Sequence, residues 1–389
     1  MPLQKDCKSV CILTEIVSPY RIPVFNVLSQ TPDIDLEVLF FSKSEERRSW
    51  SISWEKIKFK YKILFGFLFS RRYQDGPIFF NPTIIYYLFR NRYHSVICFG
   101  YHHPTIWLTL LLNYIIGSRM LLWSESTIKD HRDTNKIVQF FKRLLISRFD
   151  GFIAAGRSQV EYLEHLGARR DQIWIAPDSV DSDFFISESE LYRNKKNQIK
   201  SDLGIQGPII LYVGRLIDDK GIPELIDAFE QVFSEENVTL ILVGDGPDFG
   251  KYRDYCKEND ISAIQFKGFC LQKHLPRYYA ISDFFVFPTR SDPWGLVINE
   301  AMCAGLPIVC STAAGASADL VIHGENGLLH EPGEVSVLRN HMLTLLRDEN
   351  MRLSMGIKSK EIIAGFHPNI MAQGMLESIL QLENKVHSG

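Results

Sequence analysis

The stretch "IILYVGRLIDDKGIPELIDAFEQV", residues 209–232, fixes the reading of the chain. Five apolar residues, Ile209–Val213, make a buried strand that stops at Gly214, and a polar turn leads into an amphipathic helix starting near Pro223. Gly214 lets the backbone turn sharply or approach a ligand, while Arg215 and Lys220 put fixed positive charge at the carboxyl edge of the sheet. That edge is where open α/β sheets bind ligands, and a diphosphate suits it. Taken alone, the two cations could equally pair with Asp218 and Asp219 as surface ion pairs.

Working outward, the same strand–helix rhythm recurs. Thr239–Val243, Ile264–Lys267, Asp283–Phe287 and Pro307–Ser311 read as strands in the second half of the chain, and Cys11–Ile16, Leu36–Phe41, Ser95–Phe99, Leu121–Trp123 and Gly151–Ala154 in the first. Strands alternating with helices imply parallel sheets, here two doubly wound, Rossmann-like α/β domains. The boundaries expected are residues 1–182, a polar linker over 183–207, a second domain over 208–367, and a final helix over 368–389 crossing back to the first domain. The turn after Thr239–Val243, Gly244-Asp245-Gly246-Pro247, repeats the first loop's geometry. It only loosely imitates a dinucleotide fingerprint, and the first strand of the chain lacks such a loop, so hydride chemistry gets little support.

A chain of 389 residues can bury large cores, and its net charge of −3 gives no global reason to expect nucleic acid as a partner. Seven cysteines form an odd set with no Cys-x-x-Cys, which favours reduced, buried thiols in a cytoplasmic protein. The apolar run Val10–Val17 is too short for a signal peptide and reads as a first strand. Residues 105–123 approach a membrane-spanning length, but Gly117, Ser118 and Arg119 break them into a helix, a turn and a strand. Elsewhere Lys56, Lys58, Lys60 and Lys62 alternate with Ile57, Phe59, Tyr61 and Ile63. That period of two makes a strand with one cationic face, either a solvated hairpin or a contact with an anionic acceptor or membrane, with Arg47, Arg48, Arg71 and Arg72 nearby.

The stretch "SDPWGLVINEAMCAGLPIVCSTAAG", residues 291–315, holds only two charges, Asp292 and Glu300. A helix is expected from Gly295 to Ala304, stopped by Gly305. Asp292 then lies just before a helix N-terminus, where free N–H groups seat phosphate or sugar oxygens; the common explanation for an acid there is that it is no more than the helix's cap. Glu300, among Leu296, Val297, Ala301 and Met302, is expected half-buried. A buried carboxylate is costly unless paired, and the vicinal hydroxyls of a sugar suit it as donors.

These segments, "GRLIDDKG", "LVGDGP", "FKGF", "DPWGLVINEAMCAGLPIV" and "HGENGLL", resemble in order and spacing the retaining GT-B glycosyltransferases of family 4. In the first half "SPYRIPVFNVL" and "IAPDSVDSDFF" are similar to the opening segment and interdomain loop of the same family. The resemblance implies a GT-B fold with two Rossmann-like domains facing a cleft, the first binding acceptor and the second a UDP- or GDP-sugar. Arg215 and Lys220 match the donor-diphosphate pair, Asp292 the first acid on the donor sugar, and Glu300 the second acid on the ribose. Gly214, Gly244 and the backbone of Trp294, Gly295 and Leu296 would line the donor, with Phe269 near the base. Tyr20, Arg21, His102, His103 and Glu125 are the candidates on the acceptor or sugar side.

Two departures from the family pattern stand out: Asp292 replaces the usual Glu, and Ser124-Glu125-Ser126 stands where many members place a His-Asp pair. No metal or other cofactor is implied, and "DSD" at 181–183 is read as loop rather than a metal motif. The implied activity is retaining, metal-independent transfer of a sugar to a glycan or lipid-linked glycan acceptor in surface polysaccharide or glycoconjugate biosynthesis. The alternatives are a non-catalytic sugar-nucleotide-binding protein or a sugar-nucleotide epimerase of the same fold.

Overall fold

A computed structural model describes residues 7–45, 52–69, 76–129 and 136–386. Arg47, Arg48, Arg71 and Arg72, grouped above with the lysine stripe, lie outside these described residues. The chain divides into two units, Met1–Asp178 with Pro368–Gly389, and Ser179–His367.

The first unit is built on β1 (Lys8–Ile16), β2 (Ile34–Ser42), β3 (Lys60–Ile63), β4 (Phe67–Phe69), β5 (Ile78–Phe80), β6 (Ser95–Phe99), β7 (Arg119–Ser124), β8 (Gly151–Ala154) and β9 (Ile173–Ile175). Seven of them form a wholly parallel sheet in the order β3-β2-β1-β6-β7-β8-β9, and β4 and β5 make a separate antiparallel ribbon. The period-two rule divides the core. Val10 and Ile12 of β1 face one cluster with Phe25 and with Met371, Met375 and Ile379 of the C-terminal helix Pro368–Val386. Cys11 and Leu13 face the other, under the helices Ile84–Asn91, Pro104–Ile116, Lys136–Ile146 and Arg157–His165. The long apolar run is a helix closed by Gly117 in the left-handed region (φ 75°) and followed by β7, and no described helix is long and apolar enough to cross a membrane.

The lysine stripe differs from its expected form. Trp54–Lys56 is a single 3-10 turn, and β3 runs parallel to β2 as an edge strand rather than into a hairpin. The alternation survives only in part: Lys58, Lys60 and Lys62 are exposed and Phe59 is buried in the core, but Ile63 is exposed as well. Lys60 is ion-paired with Asp35 at 2.6 Å, so the face is mixed in charge.

The second unit holds β10 (Ile209–Val213), β11 (Thr239–Val243), β12 (Ile264–Gly268), β13 (Phe284–Phe287), β14 (Ile308–Ser311) and β15 (Gly327–His330) in one parallel sheet, ordered β12-β11-β10-β13-β14-β15. This is the doubly wound arrangement, with its crevice at the switch between β10 and β13. Residues 183–207, read above as linker, are mostly helix, Ser182–Arg193 and Lys196–Asp202, and pack within this unit. Phe185 is buried against Tyr279, and Lys196 pairs with Asp283 at 3.0 Å. Widely spaced anchors in a polar sequence gave no periodicity to read. Asp181 caps the first of these helices, accepting from the Phe184 N–H at 3.3 Å, and Asp183 faces His367 at 3.3 Å.

Candidate functional site

At the carboxyl edge of the second sheet, the loops after β10, β11, β12 and β13 bring together residues spread over some eighty positions. The loops after β10 and β11 extend the ladder beyond the strands, through Gly214 N–H to Val243 O (3.0 Å) and Leu216 N–H to Asp245 O (3.0 Å). They cross so closely that a Cβ on Gly244 (φ 144°) would lie 1.8 Å from the Gly214 carbonyl. Gly221 (φ 71°) closes the turn carrying Lys220, and a Cβ there would lie 2.0 Å from the carbonyl of Pro288, at the end of β13. These glycines are required by backbone contact, not only by turn geometry.

That contact sets Lys220 beside the loop after β13. Its ammonium donates to Asp292 Oδ2 at 2.7 Å and to the Ser291 carbonyl at 2.8 Å. The partner of Lys220 is therefore Asp292 and neither Asp218 nor Asp219; Asp218 binds Tyr252 and Lys251, whose hydrogen bonds hold its carboxyl below the usual range. Arg215 is exposed, and its guanidinium has no hydrogen-bond or ion-pair partner among the described residues.

Asp292 does not cap the following helix, Leu296–Cys303; Gly295 (φ 96°) stands at that position. Instead Asp292 Oδ1 accepts the Trp294 N–H at 3.1 Å, and its backbone bridges to Ala314. The Trp294 N–H, expected to face a donor, is thus occupied, and its indole is buried and donates to Asn299 at 3.0 Å. Glu300 is not half-buried but wholly so, at 0% exposure, and accepts the Tyr279 hydroxyl at 2.7 Å. Burial raises the nearby Cys270 thiol, Arg277 offsets part of that rise, and the Glu300 carboxylate adds to it. Phe269 itself is 51% exposed, an aromatic face open to stacking.

The first unit gathers its own candidates at the carboxyl ends of β1, β6 and β7. Arg21 is not free to meet a substrate. It forms a two-pronged ion pair with the buried Asp178 (2.9 and 3.1 Å), a further pair with Glu125, and sits 4.7 Å over the Trp123 ring. Glu125 stays partly exposed beside it, and Tyr20 is half-buried in the preceding loop. His102 and His103 meet Glu15, at 3.4 and 3.0 Å. His103 Nδ1 accepts the Phe79 N–H at 3.3 Å, which puts its proton on Nε2, donated to Glu15. Burial lowers the His103 imidazole further than Glu15 raises it. Burial raises the Glu15 carboxyl, but hydrogen bonds from both histidines outweigh that and hold it well below the usual range. Glu15, His102 and His103 bring potential ligand atoms within 4.8 Å of one another. Both His103 nitrogens are engaged, to the Phe79 N–H and to Glu15, while His102 is exposed.

Sequence reasoning missed Glu15, Asp178 and Tyr279. Glu15 carried the signal that exposed Glu300, a lone acid in an apolar run, "CILTEIV". Asp178 and Tyr279 are partners whose pairing only the fold shows.

Two parallel, doubly wound sheets of this order, the second edged by crossing glycine loops, a lysine–aspartate pair and an acid-bearing helix, define the GT-B class of fold. Residues 194–362 match the model of the family glycosyl transferases group 1, a little over two fifths of the chain. The chain is 28% identical over 182 residues to N-acetyl-alpha-D-glucosaminyl L-malate synthase of Bacillus anthracis, covering 46% of this chain and 47% of that protein. It is 32% identical over 153 residues to the capsular polysaccharide biosynthesis glycosyltransferase CapM of Staphylococcus aureus, covering 38% and 39%. It thus spans about half or less of the length of these relatives. Anabaena Alr3699/HepE, solved in complex with UDP, superposes with a TM-score of 0.75 at 20% identity over 96% of this chain and 100% of that one. Sucrose-phosphate synthase from Thermosynechococcus elongatus superposes at 0.71 and 18% identity over 97% and 100%. These structural likenesses establish the fold.

Proposed function

We propose that the protein transfers a sugar, with retention, from a UDP- or GDP-sugar to a glycan or lipid-linked glycan acceptor in surface polysaccharide or glycoconjugate assembly. The observation that carries this reading is the joining of Lys220 to Asp292 at the carboxyl edge of a sheet that also carries the exposed Arg215, which has no hydrogen-bond or ion-pair partner among the described residues. Gly295 and Leu296 open the helix Leu296–Cys303, and the backbone N–H groups of a helix N-terminus suit a diphosphate. The HepE structure bound to UDP, and those bound to UDP and glucose or to UDP-glucose, share the fold and support a nucleotide-sugar donor.

In this reading Arg215 and Lys220 take the diphosphate. Asp292, released from Lys220 by the incoming phosphate, turns to the sugar hydroxyls. The bond from the anomeric carbon to the diphosphate oxygen breaks as that carbon bonds to the acceptor oxygen on the same face. The acceptor's proton passes to the departing diphosphate, whose growing negative charge the two cations stabilise. Two fixed cations at the diphosphate make the chemistry independent of a divalent metal. Phe269 stacks on the base, and Glu300, uncovered as the donor enters, holds the ribose. On the acceptor side the Glu15–His103 pair orients His102 toward the acceptor hydroxyl, and Glu125, braced by Arg21, lines the same edge.

Incubating the protein with donor and a panel of lipid-linked and free glycans tests the reading. It predicts nucleoside diphosphate release coupled to an axial or equatorial product bond matching the donor's, unchanged by EDTA. Release to water alone, an inverted product, or activity that EDTA removes and Mn²⁺ restores would each count against it.

A further inference from the structure

Exposed large hydrophobic side chains are unevenly shared. Nineteen of the twenty-six among the described residues belong to the first unit, and seventeen fall between Ile63 and Leu144. Fourteen of these lie on one layer: the outer faces of the helices Ile84–Asn91, Pro104–Ile116 and Lys136–Ile146, which cover the same side of the sheet, and the β4–β5 ribbon that packs against the second of them. Ile115 is 76% exposed and Tyr114 70%, on a helix whose inward face, Ile106 and Leu110, already fills the core; Phe140 is 64% exposed on a helix that buries only Ile146. Scattered apolar residues are ordinary on a surface; a whole helical layer of them marks an interaction face.

The charges on this layer identify what it meets. Its three helices contain no Asp or Glu, in a chain that holds 46, but they carry Arg90, Lys136, Lys142 and Arg143. Arg148, just beyond, lies over the Tyr114 ring, and Arg90 over Tyr86, the pairing of cation and aromatic that suits a lipid headgroup region. A second copy of the chain fits poorly, because a two-fold contact would set one acid-free cationic face against another. Pro104–Ile116, thirteen residues, is about 20 Å long and too short to span the bilayer core, so the layer lies on a surface.

We propose that this helical layer is a docking face for an anionic phospholipid bilayer, with Leu111, Tyr114, Ile115, Phe140 and Phe141 entering the headgroup–acyl boundary and the flanking Lys and Arg residues meeting lipid phosphates. The exposed lysines of β3 are not its centre, since Lys60 is already neutralised by Asp35. The proposal gives the acceptor side of the proposed function a location, and for its biological use it rests on that reading.

Flotation of the full chain with vesicles of phosphatidylcholine alone, or with one quarter phosphatidylglycerol, tests it without donor or transfer. Binding to the anionic vesicles is expected at 0.15 M salt, with at least a tenfold loss in Leu111→Glu/Phe141→Glu and less than a twofold change in Lys60→Ala/Lys62→Ala. Both substituted positions are exposed, and unchanged far-UV circular dichroism and donor binding show that the variant remains folded. No binding to anionic vesicles, or equal binding by the Leu111→Glu/Phe141→Glu variant, overturns the proposal. So does a stable dimer by light scattering that this variant converts to monomer, which would make a second copy the occupant. Failed donor binding with intact vesicle binding would sink the proposed function and leave the docking face standing.

Discussion

The carboxyl edge of the second sheet and that of the first follow the same strand order but are built by different means. In the second, position is set by backbone: Gly214, Gly221 and Gly244 let neighbouring loops touch, and their contacts bring Lys220 to Asp292. In the first, position is set by side-chain ion clusters, Arg21 with Asp178 and Glu125, and Glu15 with the two histidines. In the proposed function the backbone-built edge holds the donor and the side-chain clusters face the acceptor.

The largest effect expected from breaking this contrast is in the first unit. Arg21→Ala leaves the Asp178 carboxylate buried without its cation and should cost about 3–5 kcal/mol, read as an early transition in denaturant unfolding. A variant within about 1 kcal/mol of the parent would show that Arg21 is no brace. Next is Lys220→Ala, which should lower kcat/KM roughly 10²–10³-fold with little change in stability, because the lysine is partly exposed and Asp292 keeps its Trp294 N–H bond. Restoring the usual acid by Asp292→Glu adds about 1.5 Å of reach and should lower turnover around tenfold, since the Lys220 pair is already made by the shorter chain. A gain in turnover would instead mark an eroded site.

The smallest effect is shared by both units and concerns pH. Burial lowers His103 in the first and His330 in the second, so the unfolded chain binds protons more readily than the folded one as pH falls through about 6.5. Stability is then full above that pH and declines below it, by at most about 1.4 kcal/mol per pH unit for each histidine. Glu15, depressed in the fold, adds a further loss of the same sign below about pH 4.5. A lower melting temperature at pH 5.5 than at 7.5 is expected; the reverse order would contradict the neutral, buried histidines.

The strands of both sheets were legible because apolar runs of four or five residues bounded by Gly and Pro leave little choice. β9 and β15, "IWI" and "GLLH", escaped because three or four residues, one of them His or Gly, carry no period. Glu300 was legible as a paired acid, but not its full burial, which Tyr279 makes tolerable from a helix whose hydroxyl position no spacing reveals. Arg21 was legible as a site residue only by resemblance. Its bonding to Asp178, 157 positions away, depends on tertiary packing, and turns an expected substrate contact into a brace.

The central claim is that the second unit's carboxyl edge binds a nucleotide-sugar through Lys220, Asp292 and Glu300. Calorimetric titration of UDP-, GDP-, ADP- and dTDP-sugars against the parent and Glu300→Gln tests it most directly, since the amide keeps an acceptor for Tyr279 while losing the charge. One nucleotide class should bind the parent and lose at least tenfold in affinity in the variant. Silence across the panel, or equal affinity in both proteins, would contradict the account.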